Sequence, residues 1–262
     1  MSLRVVIVTI EEPFFMPEVV LQVLSARTAD VQLVVALPPA AGKRTKTSVA
    51  RDQLALYGTL GFLIKSASYV WRRVLDRLPE RLAPRQAYSV RRAAERFKVP
   101  CTTPSNVNEP SFLTRLRELA PDVVISLGSP QIFCRELLRI PRLGCINLHN
   151  GPLPRYRGML PSFWVLFNGE SETAVTVHFM DEKLDSGRII VQRVVSLMSS
   201  DTHDSVIRRT KGLAADIIGE ALLALERGDC VTFENDASKA TYYSLPTAAE
   251  ARQFRAMGRK LH

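Results

Sequence analysis

The densest group of chemically useful residues is Asn147-Leu-His149-Asn150-Gly-Pro-Leu-Pro-Arg155-Tyr-Arg157-Gly158, followed downstream by Asp181-Glu-Lys-Leu-Asp185-Ser-Gly187. Asn147 and His149 lie two apart in an apolar run, so on a strand both side chains leave the same face. Gly151, Pro152 and Pro154 then force an irregular loop at that strand's carboxyl end, the edge where open α/β sheets bind ligands. An amide, an imidazole and a carboxylate gathered there suit acyl transfer without a covalent enzyme intermediate. The amide stabilises an oxyanion, the imidazole stabilises charge and moves protons, and the carboxylate orients the imidazole or takes a proton through water. Spacing alone leaves a plainer alternative open, in which Asn147 and His149 satisfy buried backbone groups and Asp185 is a turn residue.

Those side chains need a scaffold, and hydrophobic periodicity outlines one. Residues 5–10 form a short apolar run closed by Glu11-Glu12-Pro13, and residues 31–37 a second, stopped by Pro38-Pro39. Between them Val19, Val20, Val23 and Leu24 repeat at helical spacing. This β-α-β alternation predicts a parallel sheet covered by helices on both faces. The spacing also predicts helices over 112–119 and 131–140 and strands over 121–128 and 144–149, the last carrying Asn147 and His149. Residues 173–180 and 188–197 alternate more strictly, as strands with one less buried face do. Asp201 stands where it would cap one long helix reaching Leu225. His178 reads as structural, and Phe163 and Trp164 as packing residues. Arg155 and Arg157 read equally as surface charge or as contacts for an anionic substrate.

Residues 43–98 depart from the α/β rhythm. Tyr57, Leu60, Ile64, Ala67, Trp71, Leu75 and Leu78 recur at helical spacing and predict a long amphipathic helix. Between residues 65 and 98, Lys65, Arg72, Arg73, Arg77, Arg81, Arg85, Arg91, Arg92, Arg96 and Lys98 face only Asp76, Glu80 and Glu95. The expectation is an inserted helical pair packed on the sheet edge with a solvated basic face. The alternative makes that face a docking site for a nucleotide, a nucleic acid or anionic lipid headgroups.

Composition narrows the function classes. A chain of 262 residues with 46% hydrophobic content has room for a substantial core, and 13 Gly and 16 Pro without a period exclude collagen-like or low-complexity sequence. A formal charge of +9 favours acidic partners without choosing among them. Cys101, Cys134, Cys145 and Cys230 form no CxxC pair, which fits neither a zinc site nor a disulfide framework and points to a reducing, cytoplasmic setting. The apolar stretch 54–71 is interrupted by Gly58, Gly61, Lys65, Ser66 and Ser68, so no transmembrane segment is expected. No GxGxxG follows the first strand and no P-loop is present, which disfavours nicotinamide, flavin and P-loop kinase chemistry.

Three ordered motifs carry a resemblance. Asn147-Leu-His149, then Leu153-Pro154-Arg155-Tyr156-Arg157-Gly158, then Leu184-Asp185-Ser186-Gly187 resemble the signature of the formyltetrahydrofolate-dependent formyltransferases. That family includes glycinamide ribonucleotide, methionyl-tRNA and sugar N-formyltransferases. The similarity covers residues 121–225 well and the amino-terminal sheet in pattern. It implies a Rossmann-like, mostly parallel α/β sheet with helices on both faces, a helical insertion at 43–98 and a short carboxyl-terminal hairpin plus helix. Residues 1–228 would form the catalytic domain and 229–262 a short extension. Asn147, His149 and Asp185 match the family's catalytic Asn, His and Asp. The resemblance implies direct attack of a primary amine on the formyl carbon of N10-formyltetrahydrofolate. Asn147 and protonated His149 would stabilise a tetrahedral oxyanion, while Asp185, through water, would help remove the amine proton and keep His149 charged. The pterin would lie against Ser129, Gln131, Ile132 and Phe133 and against Asp181, Lys183 and Leu184, mainly through main chain. No metal is implied.

Departures from the family narrow the acceptor. Enzymes acting on glycinamide ribonucleotide place a glycine-rich phosphate loop where this chain has Glu11-Glu12-Pro13, and two carboxylates repel a phosphate. The residues after 228 are too few for the carboxyl-terminal barrel of methionyl-tRNA formyltransferases, and there is no room before Arg4 for the regulatory domain of formyltetrahydrofolate hydrolases. The tail, with Ala240-Thr-Tyr-Tyr-Ser-Leu-Pro246, is similar to tails of sugar N-formyltransferases. The expected acceptor is therefore a small-molecule amine, a nucleotide-linked amino-sugar, with nucleic acid disfavoured. Other amines, linked to tRNA or lipid, and a non-catalytic folate-binding relative remain alternatives. Peripheral membrane contact and a homodimer through Tyr242, Tyr243 and Leu245 stay open.

Overall fold

Val5, Val6, Ile7 and Val8 are all fully buried, a pattern that requires helices over both faces of the first strand. The computed structural model describes residues 2–40, 45–79, 82 and 86–262. In chain order the elements are β1 (Arg4–Ile10), α1 (Met16–Ala26), β2 (Asp30–Leu37), α2 (Lys46–Asp76), α3 (Val90–Arg96), β3 (Cys101–Thr102), α4 (Pro110–Leu119), β4 (Val123–Leu127) and α5 (Arg135–Leu138). There follow β5 (Gly144–His149), β6 (Arg157–Gly158), α6 (Pro161–Phe167), β7 (Glu172–Phe179), β8 (Ile189–Ser196), α7 (His203–Gly212), α8 (Ala214–Arg227), β9 (Tyr242–Tyr243) and α9 (Ala248–Ala256).

Among the described residues, seven strands pair in the order β3-β2-β1-β4-β5-β7-β8. The first five run parallel, and β7 is antiparallel to both β5 and β8. This is the mixed α/β, mostly parallel sheet expected from the sequence. Helices α1, α3 and α8 cover one face, where Val20, Ala93 and Ile218 meet Val5, Ile7 and Val34. Helix α4 covers the other, where Phe112 and Leu116 meet Val6, Val8 and Leu33. A third cluster joins Leu56 of α2, Phe163 and Trp164 of α6, Val206 of α7 and Phe254 of α9. The tail thus packs into the domain.

Local departures from the sequence-based expectations have local causes. The helix expected over 131–140 shrinks to four residues, because the Gln131 side chain is bonded to Val107 N and Ser105 O and keeps that segment off a helical path. Thr202, not Asp201, caps α7, in a reciprocal arrangement with Ser205. Asp201 instead accepts from Met198 N and pairs with Arg209, and the expected single helix breaks at Leu213 into α7 and α8. The tail forms no hairpin on itself. Its β9 pairs in parallel with β6, and Phe233 bridges Ile189, so the backbone bonds of the tail go to the loops near His149 and Asp185.

The largest departure concerns α2. The expected apolar-in, basic-out arrangement is inverted. Lys65 Nζ lies 3.4 Å from Asp204 and 4.4 Å from the Phe14 ring centre. Arg72 donates to Pro13 O, Arg73 pairs with Glu11, and Arg92 of α3 donates to Leu78 O. Glu11 and Asp204 are largely buried carboxylates, and cations on the inward side of α2 offset the cost of burying them. Leu60, Leu63, Ile64 and Trp71 are left facing outward. Lys43, Glu80, Arg81 and Arg85 lie outside the described residues. No described helix is long and apolar enough to cross a membrane.

Phe254 is fully buried and stacks on Phe163 with ring centres 4.5 Å apart. Phe254→Ala is expected to cost about 3–5 kcal/mol within one cooperative transition, measured by denaturant unfolding. A loss below 1 kcal/mol, or a separate early transition for the tail, would contradict this packing.

Candidate active site

Strand β5 ends at His149, and its neighbour β7 runs antiparallel with Asn147 opposite His178 and His149 opposite Thr176. Directly opposed residues share a face, so this register puts Asn147, His149, Thr176 and His178 on one side of the sheet. Leu148 and Val177 point the other way, into the core beneath α8. Thr176 Oγ1 donates to Gly151 O and Gln192 of β8 donates to Leu153 O, which ties the loop after His149 to the sheet. The Leu153–Pro154 peptide bond is cis.

Asp185 reaches this face because the loop after β7 folds back over it. Asp185 itself is left-handed, at φ 49°. A side chain at Gly187 would run into Phe179 O, and one at Gly158 into Tyr243 O. Both positions therefore require glycine for backbone to approach backbone. Gly158 N donates to Asp185 Oδ2 at 2.8 Å. Asn235, from the tail, donates through Nδ2 to both Asp185 O and Gly187 O at 2.9 Å, and Arg157 donates to Asn235 Oδ1. Arg157 is thus committed inside the protein, and Arg155 pairs with Glu170.

The three side chains singled out in the sequence come together. His149 Nδ1 lies 3.8 Å from Asp185 Oδ2, and Asn147 Nδ2 lies 3.5 Å from Asp185 Oδ1. His178 joins them, with Nε2 3.2 Å from Asn147 Nδ2 and 3.6 Å from Asp185 Oδ1. Its Nδ1–H donates to Phe179 O at 2.7 Å. In the neutral ring Nε2 then accepts from Asn147, and in the charged ring it turns a proton toward Asp185. The structural reading of His178 misses this placement, because only the β5–β7 register reveals it. Asn235 was also missed, since nothing local marks a tail residue 50 positions from Asp185.

His149 Nε2–H donates to Tyr156 O at 2.8 Å, leaving Nδ1 toward Asp185. Burial is the dominant influence on His149 and pushes its pKa down, while the Asp185 charge pulls it up. Burial also acts to raise Asp185, but the hydrogen bond from His178, the His149 charge and Gly158 N–H outweigh it and hold that carboxyl at about 2. Asp185 is an anion at neutral pH, beside an imidazole that leans toward neutrality. A proton delivered to Nδ1 would land next to that anion.

The segments expected to hold a pterin flank the cluster in sequence. Ser129 Oγ and Gln131 exchange local hydrogen bonds, and the Gln131 side chain is consumed by Ser105 and Val107. Phe133 packs in the core under α4, so only its main chain is available. Ile132 is 68% exposed and Leu184 41%, giving apolar surface on both segments. Asp181 orders its loop by accepting from Lys183 N and Ser186 Oγ, and Lys183 is exposed. Asn150 Oδ1 is buried without a protein partner one residue after His149. These features fit a planar ligand gripped through main chain. No group of three or more His, Cys, Asp or Glu among the described residues is placed to hold a metal.

Asp185→Asn removes the charge that raises His149 while leaving the burial that lowers it. The His149 imidazole is therefore expected to titrate at lower pH in the variant, followed by the NMR shift of its ring proton. An unchanged or higher titration point would contradict the coupling.

The family model described as "Formyl transferase" matches residues 3–222. A methionyl-tRNA formyltransferase from Geobacter metallireducens is 38% identical over 149 residues, 57% of this chain and 48% of that protein. The chain spans about half the length of that curated relative. Among solved structures, glycinamide ribonucleotide transformylase 1 from Symbiobacterium toebii superposes with a TM-score of 0.62 at 18% identity, over 90% of this chain and 95% of the other. A sugar N-formyltransferase from Shewanella sp FDAARGOS_354 gives 0.57 at 19% identity, over 93% and 77%. The two structures speak for the fold, and the family match spans most of the sequence: this chain belongs to the formyl transferase family.

Proposed function

We propose that the protein transfers a formyl group from N10-formyltetrahydrofolate to the primary amine of a nucleotide-linked amino-sugar. The convergence of half-buried Asn147 with buried His149 and Asp185 in one cluster carries the formyl-transfer part of this reading. The donor, when bound, supplies an electrophilic formyl carbon. Ser129, Gln131, Ile132 and Phe133 on one side, and Asp181, Lys183 and Leu184 on the other, would hold it by main chain and apolar contact. Asn147 offers its amide N–H to the negative charge that develops on the formyl oxygen. His149 enters neutral, not as the imidazolium expected from the sequence: with Nε2–H committed to Tyr156 O, it takes a proton from the attacking amine at Nδ1, beside Asp185. That proton passes to N10 of the donor as the formyl C–N10 bond breaks and the new C–N bond to the acceptor is kept. His178 Nε2 holds one Asn147 N–H at 3.2 Å, and the second, at a long 3.5 Å from Asp185 Oδ1, is the one that turns to the formyl oxygen.

The amino-terminal end of α1 bears on the acceptor. Glu12 accepts hydrogen bonds from Phe14 N and Phe15 N there, at 2.7 and 2.8 Å, and also from Met16 N. Its carboxylate fills the position that an acceptor's phosphate would take at a helix start. This disfavours an acceptor whose phosphate must sit at the α1 start, as expected for glycinamide ribonucleotide, and any phosphate of a nucleotide-linked acceptor would have to be held elsewhere. The Geobacter relative favours a second reading, formylation of an aminoacylated tRNA.

Mass spectrometry with the formyl donor and a panel of nucleotide-linked amino-sugars, methionyl-tRNA and glycinamide ribonucleotide separates these readings. Formylation of an amino-sugar is expected. Exclusive formylation of tRNA would replace the sugar reading, and no formylation of any acceptor would reject the sugar reading. Asn147→Ala and His149→Ala should each lower turnover by roughly 10²–10⁴ with unchanged circular dichroism. Activity within threefold of the parent would overturn their roles.

A further inference from the structure

Helix α2 breaks at Gly58, at φ 69° and ψ 176°, and then runs unbroken to Asp76. Beyond the break its inward side makes polar contacts with the rest of the fold: Lys65 with Asp204, Arg72 with Pro13 O, Arg73 with Glu11. Its outward side carries Leu60, Leu63, Ile64, Val70, Trp71 and Val74, between 45% and 72% exposed. At 100° per residue these positions and Ala67 fall in one arc of about 120°. They repeat at the three-and-four spacing by which one helix seats against another. The arc holds no charged side chain, and its small flanking residues are Thr59, Ser66 and Ser68.

We propose that this stripe is a self-association surface, on which α2 of one protomer packs against α2 of a second copy about a twofold axis near Ala67. Area favours that occupant. Covering the stripe on both copies would remove on the order of 1,300 Å² from water, within the range of stable protein interfaces. Half of that, about 650 Å² on one copy, is at the upper end of what a lone protein exposes, and such patches mark a contact surface. Charge favours it too. An uncharged stripe meets its own copy without like-charge repulsion, whereas an anionic bilayer needs cations along the stripe, and of those beyond Gly58 Lys65, Arg72 and Arg73 are engaged on the inward side, leaving Arg77 exposed at one end. Ala67 is exposed and sits midway between Leu60 and Val74. Its small side chain lets two helix axes approach closely at the centre, and a twofold axis there brings Ala67 against its own copy.

Sedimentation velocity of the full chain is expected to show a dimer at micromolar concentration. Val70→Glu, an outward substitution that leaves the fold contacts intact, should raise the dissociation constant at least about tenfold. Ala67→Cys should form a covalent dimer under copper phenanthroline, while the parent, with its four native cysteines, does not. Adding Val70→Glu should abolish that cross-link. A monomer throughout the accessible concentration range, or a dimer that Val70→Glu leaves unchanged, would overturn the proposal. So would a monomer that floats with phosphatidylcholine/phosphatidylglycerol vesicles, which would assign the stripe to a membrane surface.

Discussion

One buried carboxylate organises this molecule. Asp185 receives Gly158 N–H, faces His149 and His178, and lies beside the Asn147 amide. A buried anion is tolerable only when donors and cations surround it. Its partners come from four parts of the chain: β5, β7, the Leu-Pro-Arg-Tyr-Arg-Gly loop and, through Asn235 on its backbone, the tail. Glycine at 158 and 187 lets those backbones approach. Much of the architecture around the site reads as the means of keeping one negative charge dry, oriented and next to an imidazole.

The same principle, applied to other carboxylates, explains the distribution of positive charge. Glu12 is satisfied by the start of α1, and Glu11 and Asp204 draw Arg73 and Lys65 inward from α2. The basic character of the insertion is therefore partly internal wiring. What α2 presents to the outside is its apolar arc, the reverse of an ordinary amphipathic surface helix.

Much of the sheet was legible in the sequence. Continuous β-branched runs at β1, β2 and β4 have few alternatives to a doubly covered parallel strand, and the Asn-x-His spacing required a common face whichever register β5 adopted. The local errors share a cause. Asp201 and Thr202 are both competent caps, and only the competing demand of Met198 N and Arg209 on Asp201 decides between them. Residues 131–134 have helical composition, yet the bonds of Gln131 to Ser105 and Val107 hold them off the helical path. For α2, periodicity identified the helix but not which arc faces inward, because two buried carboxylates elsewhere outweighed the apolar stripe.

The sequence by itself determined the elements, the chemical types at the site and the motif order, because these rest on local spacing and on residues that few backbone conformations accommodate. Tertiary structure alone decided the rest. The opposition of Asn147 and His178 depends on strand register, the clamp of Asn235 on the Asp185 loop depends on where the tail docks, and the inversion of α2 depends on charges far away in sequence. Each is a contact between segments whose separation along the chain carries no local signal. Their energies are set by burial and by neighbouring charge, which exist only once the chain has folded.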